Sequence, residues 1–401
     1  MILCCDGVNY RRITRRLQLG VITEMIQISA GPYRRLRPAL LLPQAIRKER
    51  ADRVPDQIEA FAAKLEPALA KALLGAFQAQ AGAVSLEAVV AAIESGDVGK
   101  VLALLGLPAD GAGLVATALQ DATWAAGALG AKQIATRITG ATFAFNQLNP
   151  RLIDWLSTYS LGLIRQINDT TKEGIRQYLT AGMTEGRNPR DTARQVRQVI
   201  GLTDRQAQAV KNFRKELETF HLRRSAGGYN LGAKISRAPG GAQVYALDDD
   251  GQLKDGILER RLRDFRFDGQ LQRAMQEGKP LTPAQIDMMV EAYARKYLKH
   301  RSETIARTEA LRTTNFGVQD AWRQAIASGT VPEENIRRQW VLSRDERLCS
   351  LCAPVPRMNP KLGVAFGQPF ATPKGAQMLP PLHPNCRCTV WIQPFEPEQL
   401  A

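Results

Sequence analysis

The residue types best able to do chemistry crowd into one stretch near the end of the chain: Cys349-x-x-Cys352, then His383-Pro-Asn-Cys386-Arg-Cys388. The sequence has six cysteines, and the other two, Cys4 and Cys5, lie at its start. That is too sparse for a disulfide scaffold. Thiolates and imidazoles at this spacing are zinc ligands. A Cys-x-x-Cys turn supplies two sulfurs from one knuckle, and a distal cluster completes a tetrahedron with bonds of about 2.0 to 2.3 Å. Cys349, Cys352, His383, Cys386 and Cys388 are therefore five candidates for four places, with one of the last three expected to be spare. The Zn2+ is expected to be structural: a catalytic ion keeps a position open for water, whereas here soft ligands exceed the need and no carboxylate–histidine pair accompanies them. Two disulfides are the competing reading, open to a protein that leaves the cytosol.

The elements around this cluster explain why an ion is wanted. Between Cys349 and Cys388 lie eight prolines and three glycines, too many for helices or central strands, and the stretch reads as too poor in apolar residues for a core of its own. A structural zinc contributes about 10 to 16 kcal/mol of apparent binding free energy, ample to fix such a loop. Alternation at Trp340 and Leu342 predicts a strand over 339–343, and Val390 with Ile392 predicts another over 389–393, with the metal clamping the base of the pair. Upstream, Thr282-Pro283 with Gln285 predicts a capped helix whose buried stripe is Ile286, Met289, Val290, Tyr293 and Tyr297. Arg295, Lys296, Lys299 and Arg301 follow in its C-terminal half, where they complement the helix dipole or face phosphates.

Further upstream, Leu152, Leu156, Tyr159, Leu163 and Ile167 share a helical face. Thr170 with Glu173 reads as a capping box restarting a helix, and Asn188-Pro189 and Thr203 with Gln206 open two more. Residues 221–280 break the pattern and read as an irregular or hairpin insertion. Its acidic turn, Asp248 to Asp250, fails as a calcium loop because the first and twelfth ligands would be Ala246 and Ile257. Residues 54–147 are rich in Ala and Leu, with Leu65, Leu69, Leu73 and Phe77 spaced by four, which predicts amphipathic helices packed closely within the chain or against copies of it. Ser85 with Glu87 opens one helix, and Pro108 to Gly113 closes the next.

Composition sets the outer limits. A chain of 401 residues suggests two or three domains at roughly 100 to 200 residues each. With 44% hydrophobic and 23% charged residues, wholesale disorder is excluded. No run of 18 apolar residues occurs, and the start lacks the apolar block and cleavage site of a leader, so a protein without a membrane span, made in the cytosol, is expected. The net charge of +15 would attract nucleic acid or an anionic membrane surface. It is concentrated: residues 1–53 hold eleven basic and four acidic residues, whereas 54–147 hold five basic and eight acidic. Arg11, Arg12, Arg15 and Arg16, then Arg34, Arg35 and Arg37, make the first segment a basic arm suited to phosphates or an acidic groove. The division expected is a basic arm over 1–53, an Ala-rich helical segment over 54–147, a helical body over 148–345 carrying the insertion, and a zinc-stabilised module over 346–401. The fold class is mainly α with a small α+β C-terminal zinc-stapled module.

Several residues together resemble the phage Mu F-like minor head proteins, also called phage head morphogenesis proteins, over roughly Asn149 to Trp391. They are Arg301-Ser-Glu-Thr-Ile-Ala-Arg-Thr-Glu309, Asn315-Phe-Gly317, Trp340, Asp345-Glu-Arg347 leading into Cys349, and Pro380-Pro-Leu-His-Pro-Asn-Cys-Arg-Cys388. The resemblance implies a minor capsid protein of a tailed-phage virion, assembled in the host bacterial cytoplasm and present in few copies at the portal vertex. It would act in head assembly and in packaging and ejection of the DNA. Implied partners are the portal protein, packaged double-stranded DNA, major capsid or scaffold protein, and copies of the chain itself. Catalysis is not implied. Residues 1–147 lie outside the match.

Arg307 and Glu309 are expected to form a structural pair tying the long helix to the zinc module. The rival reading is a zinc-stapled nuclease using His383 and Asn385, but its other histidines, His221 and His300, lie far upstream and no second base is apparent. A third reading is a scaffold without DNA contact.

Overall fold

The computed structural model describes residues 54–106, 108–219, 236–237, 243–244, 262–343 and 349–395. The arm, with Arg11, Arg12, Arg15, Arg16, Arg34, Arg35 and Arg37, lies outside the described residues, as do Asp248–Asp250 and Asp345–Arg347. The fold is mainly helical with a small C-terminal sheet. Contacts divide the described residues into two compact units, 54–60 with those of 333–382 and 387–395, and those of 61–332 with 383–386.

The helices run in chain order as α1 (Val54–Ala83), α2 (Leu86–Glu94), α3 (Val98–Ala103), α4 (Ala109–Arg137), α5 (Pro150–Thr184), α6 (Pro189–Val199), α7 (Asp204–Glu218), α8 (Asp268–Glu277) and α9 (Pro283–Ala327). Their starts follow local hydrogen-bond chemistry. Ser85 Oγ accepts from the Ala88 amide, Asn188 caps α6 with Pro189 at its first position, and Thr203–Gln206 and Thr282–Gln285 are reciprocal capping boxes. Three expectations are corrected. Thr170 restarts nothing: it lies inside the 35-residue α5, where its hydroxyl donates back to the Gln166 carbonyl at 2.9 Å, the local bond a mid-helix threonine makes. Pro108 precedes Ala109 as the cap of α4 and so opens a helix rather than closing one. Within 221–280, the two-residue strands β1 (Ser236–Arg237) and β2 (Gln243–Val244) pair antiparallel, but Asp268–Glu277 is helix α8, which buries Leu271.

The 45-residue α9 is the spine of the helical unit. Its first part gives Ile286, Met289, Val290 and Tyr293 to one core, shared with Val196, Val210 and Phe213. Farther on, Ala306, Ala310 and Leu311 join a second core with Leu69, Phe77, Leu119 and Ile167. Beyond that it packs against the Ala/Gly-rich α4. The small residues serve this crossing within the chain: a Cβ on Gly130 would stand 2.7 Å from the Ala321 Cβ, and one on Gly317 would stand 2.6 Å from the Thr123 carbonyl oxygen. The glycine of the Asn315-Phe-Gly317 motif is thus a contact point between two helix backbones. Among the described residues no single helix is long and apolar enough to cross a membrane, and α1 with α2 reaches that composition only as a pair bent by 60°.

In the other unit, β3 (Ile336–Val341) is the centre of a three-stranded antiparallel sheet between β4 (Val364–Ala365) and β5 (Thr389–Pro394). The stretch between Cys349 and Cys388 shares a core with the strands that flank it: its Val355, Phe366 and Phe370 are buried, as are Ile336 and Trp340 before it and Val390 and Ile392 after it, and Phe370 meets the Trp340 ring edge-on.

Candidate metal centre

The β3–β5 register sets Val341 opposite Thr389, so Cys388 enters the sheet at the end where β3 leaves it. After β3 the chain reaches a first knuckle, in which the Cys352 and Ala353 amides both donate to the Cys349 carbonyl, at 3.2 and 3.0 Å. A second knuckle has the Cys386 amide donating to the His383 carbonyl at 3.1 Å. Asn385 carries it through a φ of +59°, the left-handed region that asparagine tolerates better than most residues. These are two tight turns, each placing two donor side chains side by side.

Together they bring all five predicted ligands into two overlapping groups. The donor atoms of Cys349, Cys352 and His383 lie within 4.8 Å of one another, and so do those of Cys352, Cys386 and Cys388. Cys352 belongs to both. Donors on a tetrahedral ion with bonds of about 2.3 Å are about 3.8 Å apart, so the spacing within each group is compatible with ligands of one ion. Cys352, Cys386 and Cys388 are buried, and Cys349 and His383 are partly exposed. The His383 Nδ1 lies 2.8 Å from the Pro384 carbonyl oxygen. A carbonyl can only accept, so with the proton on Nδ1 this contact is a hydrogen bond and Nε2 is the ring atom left to ligate a metal. The cluster could hold a metal ion, and its donors are sulfur and imidazole rather than carboxylate.

Arg307 and Glu309 do not pair with each other. Residues two apart on a helix point to different sides, and here they serve different partners. Arg307 Nη2 lies 2.8 Å from Glu66 Oε1 on α1, and its Nη1 reaches Asn385 Oδ1 at 3.5 Å. Glu309 accepts from the Tyr159 hydroxyl and stands 3.5 Å from Arg312 Nε. Burial raises the Glu309 carboxyl above its ordinary range against the pull of Arg312, and burial beside Glu309 raises the Tyr159 phenol. Tyr159 also stacks on Trp155, whose ring lies on Phe316 with centroids 3.5 Å apart.

The basic residues read as a phosphate-facing surface on α9 sit beside acids or carbonyls. Arg295 pairs with Glu291 at 2.8 Å and Lys299 with Glu303 at 3.8 Å. Lys296 donates to the Arg263 carbonyl at 3.0 Å and lies 3.9 Å from Asp264. Arg301 is not on the surface. It donates to Thr170 at 2.6 Å, to Thr171 at 3.2 Å and to the Gly201 carbonyl, with its guanidinium 5.0 Å from the Phe77 ring centroid. Burial lowers its pKa to about 10.

Sequence reasoning missed Arg338. It is 0% exposed, donates to the carbonyls of Met378 and Gln368, and lies 5.1 Å from the Phe370 ring centroid. The signal was present, since Ile336, Arg338 and Trp340 occupy alternate positions of one strand and must share its inward face.

No protein-family model, curated protein or solved structure matches this chain.

Proposed function

We propose that this chain is a minor head protein of a tailed bacteriophage, of the phage Mu F-like kind, that binds zinc structurally and acts at the portal vertex in head assembly and in packaging and ejection of the genome. The observation that carries this reading is the convergence of Cys349, Cys352, His383, Cys386 and Cys388 on one cluster, since Cys349-x-x-Cys352 and the run Pro380 to Cys388 belong to the motif set resembling that family. The other motif residues support it as parts of a folded frame: Arg301 and Glu309 are buried, and Gly317 lies at the α4–α9 crossing. Zinc is the ion favoured, because thiolate and imidazole donors suit it. Its role is to fix a proline-rich loop, and assembly rather than turnover is the activity.

The genome contact in this proposal is with phosphates and independent of sequence. Since Arg295, Lys296 and Lys299 are each engaged near acidic groups, most of that contact is assigned to the arm, Arg11 to Arg37. An electron cryo-microscopy map of assembled heads tests the proposal. Density for this chain on the portal ring, with the arm against DNA, is expected; its absence from the head would refute it. In solution, affinity for duplex DNA should fall steeply with salt, and a flat response would remove the DNA contact. DNA cleavage by the pure protein in magnesium or manganese, lost in His383→Ala with zinc retained, would favour the nuclease instead.

A further inference from the structure

The two knuckles of the metal centre share one bond: in both, the amide of the second ligand donates back to the carbonyl of the first, Cys352 to Cys349 and Cys386 to His383. In the second, the amide at the left-handed residue points out of the turn: the Asn385 N–H donates 3.0 Å to Thr308 Oγ1 on α9. The Thr308 hydroxyl proton goes to the Thr304 carbonyl at 2.9 Å, so an oxygen lone pair is directed at Asn385. Thr308 is buried and Asn385 partly so, and an amide that lost this acceptor would have to be satisfied elsewhere. The neighbouring Arg307 adds a second hold at 3.5 Å on Asn385 Oδ1 and is itself fixed by Glu66 through two bonds of 2.8 and 3.3 Å.

Resting on the reading of the cluster as a zinc site, we infer that Thr308 is a positioning residue for the metal: its hydroxyl holds the Asn385 turn that sets His383 and Cys386 toward one ion. Groups that orient ligands without touching the metal typically change its affinity by about 10- to 100-fold when removed. Thr308→Val keeps the size and branching of the side chain and removes the hydroxyl, the acceptor for Asn385 together with its own bond to the Thr304 carbonyl. Thr308→Ser keeps the acceptor.

The experiment is zinc competition against a chromogenic chelator, using the full chain and Zn2+ as the probe, with helix content followed by circular dichroism. Thr308→Val is expected to bind zinc about 10- to 100-fold more weakly at unchanged stoichiometry and helix content, and Thr308→Ser to bind like the parent. Equal affinity in Thr308→Val, or equal weakening in Thr308→Ser, would overturn the inference while leaving the zinc site intact. Parent protein without zinc would overturn both. Hydrogen exchange on the unaltered chain gives a readout that does not depend on how the variants fold: the Asn385 amide should be protected when zinc is bound, and free exchange there would also overturn the inference.

Discussion

Gly317→Ala on α9 and Gly162→Ala on α5 separate packing from helix propensity, because both replace a helical glycine and the structure gives them opposite signs. Propensity alone favours alanine by about 0.8 to 1.0 kcal/mol at each position. At Gly162 nothing lies within 4 Å of the added methyl, so that gain should be realised. At Gly317 the methyl would meet the Thr123 carbonyl oxygen at 2.6 Å, the Ala126 Cβ at 2.7 Å and the Gly127 nitrogen at 2.9 Å. Ordinary contact begins at 3.4 Å, and two of these three neighbours are backbone atoms that cannot swing aside. Relief requires α4 and α9 to separate by several tenths of an ångström, a gap that already forfeits a sizeable part of each dispersion contact along the seam. Overpacking of this kind sits near the upper end of its usual range, about 3 kcal/mol. Offset by the propensity gain, that leaves a net destabilisation of about 2 kcal/mol. At about 2 to 4 °C per kcal/mol for a unit of this size, Gly317→Ala should lower the Tm by about 4 to 8 °C, and Gly162→Ala should raise it by about 2 to 4 °C. Differential scanning calorimetry on purified, zinc-saturated protein reads both. A Gly317→Ala chain that melts above the parent would refute the packing argument.

Two other perturbations follow from the site and the buried carboxyl. Cys352 belongs to both donor groups, so Cys352→Ser should abolish zinc binding whichever ligands are used, whereas one of His383→Ala, Cys386→Ser and Cys388→Ser should keep it; elemental analysis of reduced protein decides, and zinc retained in Cys352→Ser would contradict the shared-ligand geometry. Burial holds the Glu309 carboxyl above its ordinary range, so the folded chain keeps a proton that the unfolded chain releases near pH ~4.3. Its contribution to stability is therefore present at low pH and falls as the pH rises through the raised value. Glu309→Gln, neutral throughout, should lose that fall, and urea midpoints that run parallel to the parent's across this range would show the assignment to be wrong.

What could be read from the sequence was what rests on short-range chemistry. Ser85, Asn188, Thr203 with Gln206 and Thr282 with Gln285 open helices because their bonds span only two or three residues, and the Cys/His set is legible because ligand types and spacing are nearly sufficient to define it. Trp340 with Leu342 and Val390 with Ile392 located the two longer strands to within a few residues. The failures have tertiary causes. Thr170 and Glu173 carry a capping pattern that α5 ignores, since burial of Ile167 and Ile175 on either side keeps the helix continuous. Arg301 looked like part of a charged surface, and only the convergence of Thr170, Thr171 and Gly201 from other elements makes its burial tolerable. Arg307 and Glu309 are the instructive case, because their separation of two residues already argued against a mutual pair on a helix.

Arg338 changes what an ion held by the cluster would have to do. Gripping the carbonyls of Gln368 and Met378 from the inner face of the sheet, its guanidinium anchors the middle of the proline-rich loop independently of any ligand. A chelated chain would then keep a folded hub between two loosened ends. Proteases would make their first cuts at the cysteine-bearing turns, and the clipped remnant would stay compact around a cation that no chelator can extract.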